Sequence, residues 1–321
     1  MKTLRIPCKP EQTIIPIDHG FGNLKTSKFS CIASVKEVRG QPMFAENYLE
    51  YNGKRYVVGE QYERKDMDKT STRDYYLLTL VGIAEELLEY ADSVYGKENT
   101  YEAKNVILAV GLPVEWLDSQ AKNFYNYLMG EREIAFLYKG MRFNVHFADC
   151  IIMAQGYGCI APSISDFDKQ HMVMDIGSKT INILKVEEGN ALETSARTNQ
   201  EGVYTCFLKA RDMVQSKLKI DLPYSVFDAY VRKGKAGISA NDDVCDILYK
   251  ACREYSNSIF DLASEAGWND SLMKLHLFGG GGLIVQKFGD YDRNRVLFNT
   301  DIHAQAKGYE YLAYCMLLEE G

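Results

Sequence analysis

Two aspartates in this chain each end an apolar run and are followed at once by a glycine-bearing turn. Asp18 closes the run from Thr13 to Ile17 and opens Asp-His-Gly-Phe-Gly-Asn-Leu-Lys; Asp175 closes a run from His171 and opens Asp-Ile-Gly-Ser-Lys-Thr. An Asp-x-Gly segment taken alone is open to two readings. It can be a β-turn, where glycine supplies positive φ and the aspartate caps local N–H groups. It can also grip a phosphate, with Gly20, Gly22 and Asn23 presenting N–H groups and Lys25 adding positive charge. An aspartate facing phosphate directly would be repelled, so Asp18 would have to act through a divalent cation, most simply through the water shell of Mg²⁺. Asp175, with Gly177, Ser178, Lys179 and Thr180, offers the same chemistry and the same ambiguity. A second carboxylate opposite the first would complete a magnesium–water cage and could orient an attacking water.

A third segment, Gly279, Gly280, Gly281 and Gly282, follows an apolar strand-like run and precedes one that can begin a helix. Each glycine costs about 0.5 to 1 kcal/mol relative to alanine in regular structure, so such a run points to a ligand approaching the backbone, with a flexible linker as the competing reading.

The elements that must position these residues are legible in outline. Two strand-like runs surround the first loop, and "YLEYNGKRYVVGE" reads as a hairpin turning at Asn52-Gly53. Leu77, Leu80, Val81, Ala84, Leu87, Leu88 and Ala91 recur at helical spacing after Thr72. "NVILAVGLPVEW" reads as a buried strand stopped by Gly111 and Pro113. Residues 119–129 read as a helix, and 133–151 as two strands turning at Lys139-Gly140. The small residues of "AQGYGCIAPS" mark a crossing between two domains, after which a strand, an Asp-x-Gly turn and a strand repeat the opening layout. Helical sequence fills much of 200–270, and a closing helix is expected over about 303–319.

Composition narrows the function classes. The chain has 321 residues, 46% hydrophobic and 25% charged, with a formal net charge of −7, which argues against a direct electrostatic grip on nucleic acid. Pro7, Pro10 and Glu11 interrupt what would be the apolar core of a signal peptide, and no run reaches the roughly 18 apolar residues of a membrane span. The eight cysteines include no Cys-x-x-Cys pair and read as reduced, cytosolic thiols; the five histidines are dispersed, against a structural zinc.

Together, in this order and at these separations, the loops resemble the actin/Hsp70/sugar-kinase superfamily. Its phosphate 1, connect 1, phosphate 2, adenosine and connect 2 motifs look like residues 15–26, 147–159, 172–184, 275–285 and 302–315. "VILAVGLPVE" and "DHGFGNLKT" resemble in particular the ParM/StbA-type bacterial actins of plasmid segregation, while residues 200–270 carry little that matches. The resemblance implies an α/β fold of two actin-like (ribonuclease H-like) domains with mixed β-sheets and a nucleotide cleft between them. Residues 1–156 with 306–321 would form one domain, and 157–305 the other. It implies ATP and Mg²⁺ as cofactors. Asp18 and Asp175 would flank the metal through water, Gly20, Gly22, Asn23 and Lys25 would meet the β- and γ-phosphates, and Gly177, Ser178, Lys179 and Thr180 would form the opposing phosphate loop. Gly279 to Gly282 would lie against the adenosine.

Gln155 stands where ParM-like proteins carry a water-positioning glutamate, so it would orient a water by hydrogen bonds without acting as a base. Gly177-Ser178-Lys179 also departs from the Gly-Gly-Thr often found in phosphate 2. The resemblance further implies a cytoplasmic, filament-forming ATPase that segregates or positions plasmid or phage DNA through a ParR-type DNA-binding adaptor, with no direct nucleic-acid or membrane contact. Its rivals are a small-molecule kinase of the same superfamily and a nucleotide-dependent scaffold that does not hydrolyse.

Overall fold

A computed structural model describes residues 12–40, 47–60, 68–94 and 100–319, so Pro7, Cys8, Pro10 and Glu11 lie outside the described residues. The chain divides into two compact units. The first comprises 1–112, 116–162 and 303–321, the second 113–115 and 163–302.

The first unit contains β1 (Thr13–His19), β2 (Asn23–Lys25), β3 (Ser30–Ile32), β4 (Val35–Val38), β5 (Tyr48–Tyr51), β6 (Lys54–Val58), α1 (Asp74–Val94), β7 (Thr100–Leu112), α2 (Leu117–Met129), β8 (Glu133–Tyr138) and β9 (Met141–Ala154). Its strands form one mixed sheet in the order β3-β2-β1-β7-β9-β8-β5-β6-β4 among the described residues. β1, β7 and β9 run parallel at the centre, which explains why Val106 to Leu112 are apolar without alternation: both faces are covered. On one face Leu108 and Val110 join the core that holds Leu77, Leu80, Val81 and Ala84 of α1. Ala109, on the opposite face, packs with Met153 and with Tyr309 and Ala313 of the closing helix. Both hairpin turns read from the sequence are present, with positive φ at Asn52 and Gly53 (50° and 73°) and at Lys139 and Gly140 (52° and 77°).

The second unit contains β10 (Gln170–Ile176), β11 (Ile181–Glu187), β12 (Asn190–Asn199), α3 (Val203–Leu218), α4 (Tyr224–Lys233), α5 (Asp242–Glu265), β13 (Lys274–Phe278), α6 (Gly279–Phe288) and β14 (Val296–Phe298). Its described strands form a second mixed sheet, β12-β11-β10-β13-β14. Met172, Met174 and Ile176 share a core with Phe207, Leu248 and Ile284 of the helices. The expected duplication of layout is visible: in each unit an aspartate-bearing strand pairs antiparallel with the next strand and parallel with a later one. Helix α7 (Ala304–Glu319) returns the chain to the first unit, where His303 Nδ1 lies 2.9 Å from the carbonyl of Thr26. Among the described residues no helix is long and apolar enough to cross a membrane.

Candidate functional site

In the first unit the geometry around Asp18 follows from strand register. β1 and β2 pair Asp18 with Lys25, and the lysine Nζ lies 3.4 Å from Oδ2, an ion pair in which the aspartate is nearly buried. The other carboxylate oxygen, Oδ1, accepts from Gln155 Nε2 at 3.3 Å. Gln155 arrives there because β9 runs parallel to β7 up to the pair Leu112 and Ala154, after which its own N–H donates to the carbonyl of Leu112 at 2.8 Å. Asp18 and Gln155 therefore share the carboxyl-terminal edge of the central parallel strands, the edge where α/β sheets place ligands. A carboxylate only accepts, so it fixes the Gln155 amide with nitrogen inward and leaves Oε1 as its acceptor end. Gly20 and Gly22 lie in the loop between β1 and β2, and Asn23 begins β2.

Sequence reasoning missed Lys69. Its side chain is 1% exposed, its Nζ donates to the carbonyl of Gly111 at 3.3 Å, and the rings of Phe21, Tyr75 and Phe124 surround it with centroids 5.7 to 5.9 Å away. Burial pulls its pKa down to about 8, against the opposing pull of the Asp18 charge. His19, also buried, is held well below the usual imidazole range by burial and by the Lys69 charge, while its Nε2 meets Thr79 Oγ1 at 2.7 Å. A lysine inside "DMDKTSTRD" carries no signal of burial, since its ring partners come from three separate parts of the chain.

In the second unit Asp175 is the penultimate residue of β10, and the turn to β11 closes with the Gly177 N–H donating to the carbonyl of Thr180 at 2.9 Å. The carbonyls of Gly177 and Ser178 accept from Val203 and Tyr204 at 3.0 and 2.8 Å, so the first N–H groups of α3 support this turn. Ser178 and Lys179 form the tip between Gly177 and Thr180. The glycine run begins α6, and its members differ. Gly279 has φ +77°, and a Cβ there would stand 2.8 Å from Asp175 Oδ1; a Cβ on Gly281 would stand 2.0 Å from Ile176 Cγ2. Gly280 faces open space, and Gly282 has ordinary contacts with Leu277. The run is thus a helix start pressed against the aspartate turn, and the first N–H groups of α6 receive no side-chain cap from Phe278.

The structure therefore brings Asp18, Lys25 and Gln155 together in one unit, and Asp175, the Gly177–Thr180 turn and Gly279 together in the other. Among the described residues no three His, Cys, Asp or Glu side chains gather as a metal cage. A single carboxylate whose oxygens already accept from Lys25 and Gln155 fits an ion that keeps its water shell, as magnesium does. Two histidines that are distant in sequence do meet: His171 Nδ1 and His276 Nε2 are 2.9 Å apart in the second unit.

Comparison with known proteins agrees with the fold. Residues 17–158 match the family described as actin-like proteins, N-terminal domain. A 15-stranded ParM filament from Clostridium botulinum superposes with a TM-score of 0.73 at 17% identity, covering 94% of this chain and 99% of that one. The Alp12 filament structure gives 0.61 at 13% identity, covering 97% and 99%. Ta0583, an archaeal actin homologue in complex with ADP, gives 0.66 at 16% identity, covering 94% and 99%. No curated protein matches by sequence. The chain has the actin-like fold, and the resemblance read from its loops is borne out at the level of the fold.

Proposed function

We propose that this actin-like chain binds ATP with Mg²⁺, hydrolyses it, and assembles with copies of itself into filaments that position plasmid or phage DNA through a DNA-binding adaptor of the ParR type. The observation that carries the reading is the contact of Gln155 Nε2 with Asp18 Oδ1, which leaves an amide oxygen at a strand edge beside a carboxylate suited to a hydrated cation. The repeat of an aspartate turn at Asp175, with Gly279 against it, supplies the second phosphate loop of the reading. Two relatives of the same fold are described as filaments, and a third is described with ADP.

In this reading Gly20, Gly22 and Asn23 donate N–H groups to the β- and γ-phosphates, the turn from Gly177 to Thr180 does so from the second unit through Ser178 and Lys179 while the Gly177 N–H closes the turn on Thr180, and the α6 start at Gly279 to Gly282 takes the adenosine. Lys25 exchanges its ion pair with Asp18 for a phosphate oxygen. Asp18 and Asp175 hold the water shell of Mg²⁺, which supplies charge neutralisation for the leaving phosphate. Gln155 Oε1 accepts a hydrogen bond from the attacking water and orients it without taking its proton, so hydrolysis is slow relative to assembly. Loss of the γ-phosphate then removes a link between the two phosphate loops, and this weakens the polymer.

Phosphate release from Mg-ATP, followed with no added acceptor, tests the reading. An actin-like ATPase releases phosphate above a threshold protein concentration, and Asp175→Asn abolishes it. A small-molecule kinase stays silent until an acceptor hydroxyl is supplied, and a non-hydrolysing scaffold stays silent throughout.

A further inference from the structure

Gln305, near the start of α7, is 4% exposed, and its side-chain oxygen leads to the turn that carries Gln155. Its Oε1 accepts from the Gly156 N–H at 2.9 Å and from the Cys159 thiol at 2.8 Å. Two donors on one side fix the amide's orientation, because the reverse orientation would set NH₂ against both. That choice leaves Gln305 Nε2 buried with no hydrogen-bond partner among the described residues. The acceptor end is the one in use: an apolar side chain at this position would leave the buried Gly156 N–H unpaired.

The turn is also held by close backbone packing. A Cβ on Gly308 would lie 1.7 Å from the carbonyl oxygen of Gly158, so α7 lies directly on the turn, and Gly156 takes φ +85°. Gln155 is thereby fixed at both of its peptide groups: its own N–H goes to Leu112, and the next N–H goes to Gln305. With the Cα so placed, the side-chain amide meets Asp18.

We propose that Gln305 is the positioning residue for Gln155, acting through the Gly156 N–H to aim the amide that orients the attacking water. The inference rests on the proposed hydrolysis for its kinetic consequence, while the clamp itself is a property of the first unit. In the proposed function Gln305 makes no contact with nucleotide, so its loss should lower kcat and spare KM.

The test compares Gln305→Met, which removes the acceptor at similar length, with Gln305→Glu, which keeps an acceptor for both donors, and Cys159→Ala, which removes one donor and leaves Gly156 in place. Hydrogen exchange at the Gly156 amide and steady-state phosphate release from Mg-ATP are read for each, after thermal melts establish folding. In Gln305→Met, Gly156 exchange speeds up at least about tenfold and kcat falls about 10- to 100-fold, the range expected for a misaimed group, with KM within roughly twofold. Gln305→Glu restores both readouts, and Cys159→Ala leaves both near wild type. Unchanged Gly156 exchange in Gln305→Met overturns the clamp, and so does an equal loss of kcat in Gln305→Met and Gln305→Glu. If wild-type protein releases no phosphate, it is the hydrolysis reading that fails, and Gly156 exchange alone then decides for or against the clamp.

Discussion

Gln155 Nε2 donates to Asp18 Oδ1 at 3.3 Å across 137 residues of sequence. Strand order accounts for the meeting: β1 and β9 both lie beside β7 and run parallel to it, so residues at their ends share one edge. Because this contact joins the candidate metal-side carboxylate to the candidate water-orienting amide, changes at either end should be felt at the other.

Asp18→Ala removes the acceptor shared by Gln155 and Lys25 and leaves both donors without it. In the proposed site the variant also loses the hydrogen bond from a magnesium-bound water to this carboxylate, and a bond to a charged group contributes about 1.5 to 3 kcal/mol, so Mg-ATP affinity is expected to fall by roughly 10- to 100-fold. Titration calorimetry with Mg-ATP and with ATP in EDTA reads it directly; equal affinities for wild type and variant in Mg²⁺ would contradict the assignment.

Gln155→Glu restores a carboxylate where the amide now stands. Two carboxylates would then face each other at hydrogen-bond distance, which raises the proton affinity of the pair. Phosphate release by the variant should gain a pH dependence on the acid side of neutrality that wild type lacks. Superimposable pH profiles would show that residue 155 does not touch the reacting groups.

The glycine run separates structure from ligand contact. Gly279→Ala puts a Cβ 2.6 Å from the Ile176 carbonyl oxygen at φ +77°, and a loss of about 1 to 3 kcal/mol is expected in urea denaturation. Gly280→Ala meets nothing within 4 Å, and inside a helix it should be neutral or stabilising by up to about 1 kcal/mol. If adenosine lies on this helix start, Gly280→Ala nevertheless weakens nucleotide binding; intact binding would move the base elsewhere.

Lys69 gives a stability signature that varies with pH. Its pKa falls from the ordinary 10.5 to about 8, chiefly through burial, so holding the charge inside costs on the order of 3 kcal/mol at neutral pH. Between those two values the unfolded chain binds the additional proton, so this lysine makes stability rise with pH across the window and level off above it. Lys69→Met should be more stable than wild type at pH 7.5, with the difference shrinking by pH 10. Urea midpoints at the two pH values decide it, and a constant difference would remove the charge from the explanation.

Much of the fold is legible in the sequence because it depends on local chemistry. Asn52-Gly53 and Lys139-Gly140 fix hairpins by their backbone preferences, and the uninterrupted apolar run at 106–112 marks a strand covered on both faces. The closing helix, expected over 303–319, spans Ala304–Glu319. β7 extends further than its apolar run suggests, back to Thr100, because an irregularity at Asn105, with φ 56°, lets the polar stretch before it stay paired with β9.

The local chemistry of the site is less legible wherever it depends on distant parts of the chain. Asp18 and Asp175 announce themselves by the turns that follow, but the two turns differ: the carbonyls of Gly177 and Ser178 accept from the start of α3. Lys69 and Gln305 look like ordinary polar residues until the fold buries them. The histidines are dispersed along the chain, yet His171 and His276 meet because β10 and β13 are parallel neighbours. Among the glycines, Gly281 and Gly308 are set by the close approach of Ile176 and Gly158, which no spacing rule encodes.

If nucleotide state controls self-assembly, sedimentation of the full chain over a range of protein concentrations will show it. Samples carry Mg²⁺ with ATP, ADP or a non-hydrolysable ATP analogue, and phosphate release is followed in the same tubes. The protein is expected to pellet above a critical concentration with ATP, more persistently with the analogue and little or not at all with ADP, and phosphate release is expected to begin at the same concentration as the pellet. Protein that stays in the supernatant with all three nucleotides, or pellets equally with all three, would contradict it.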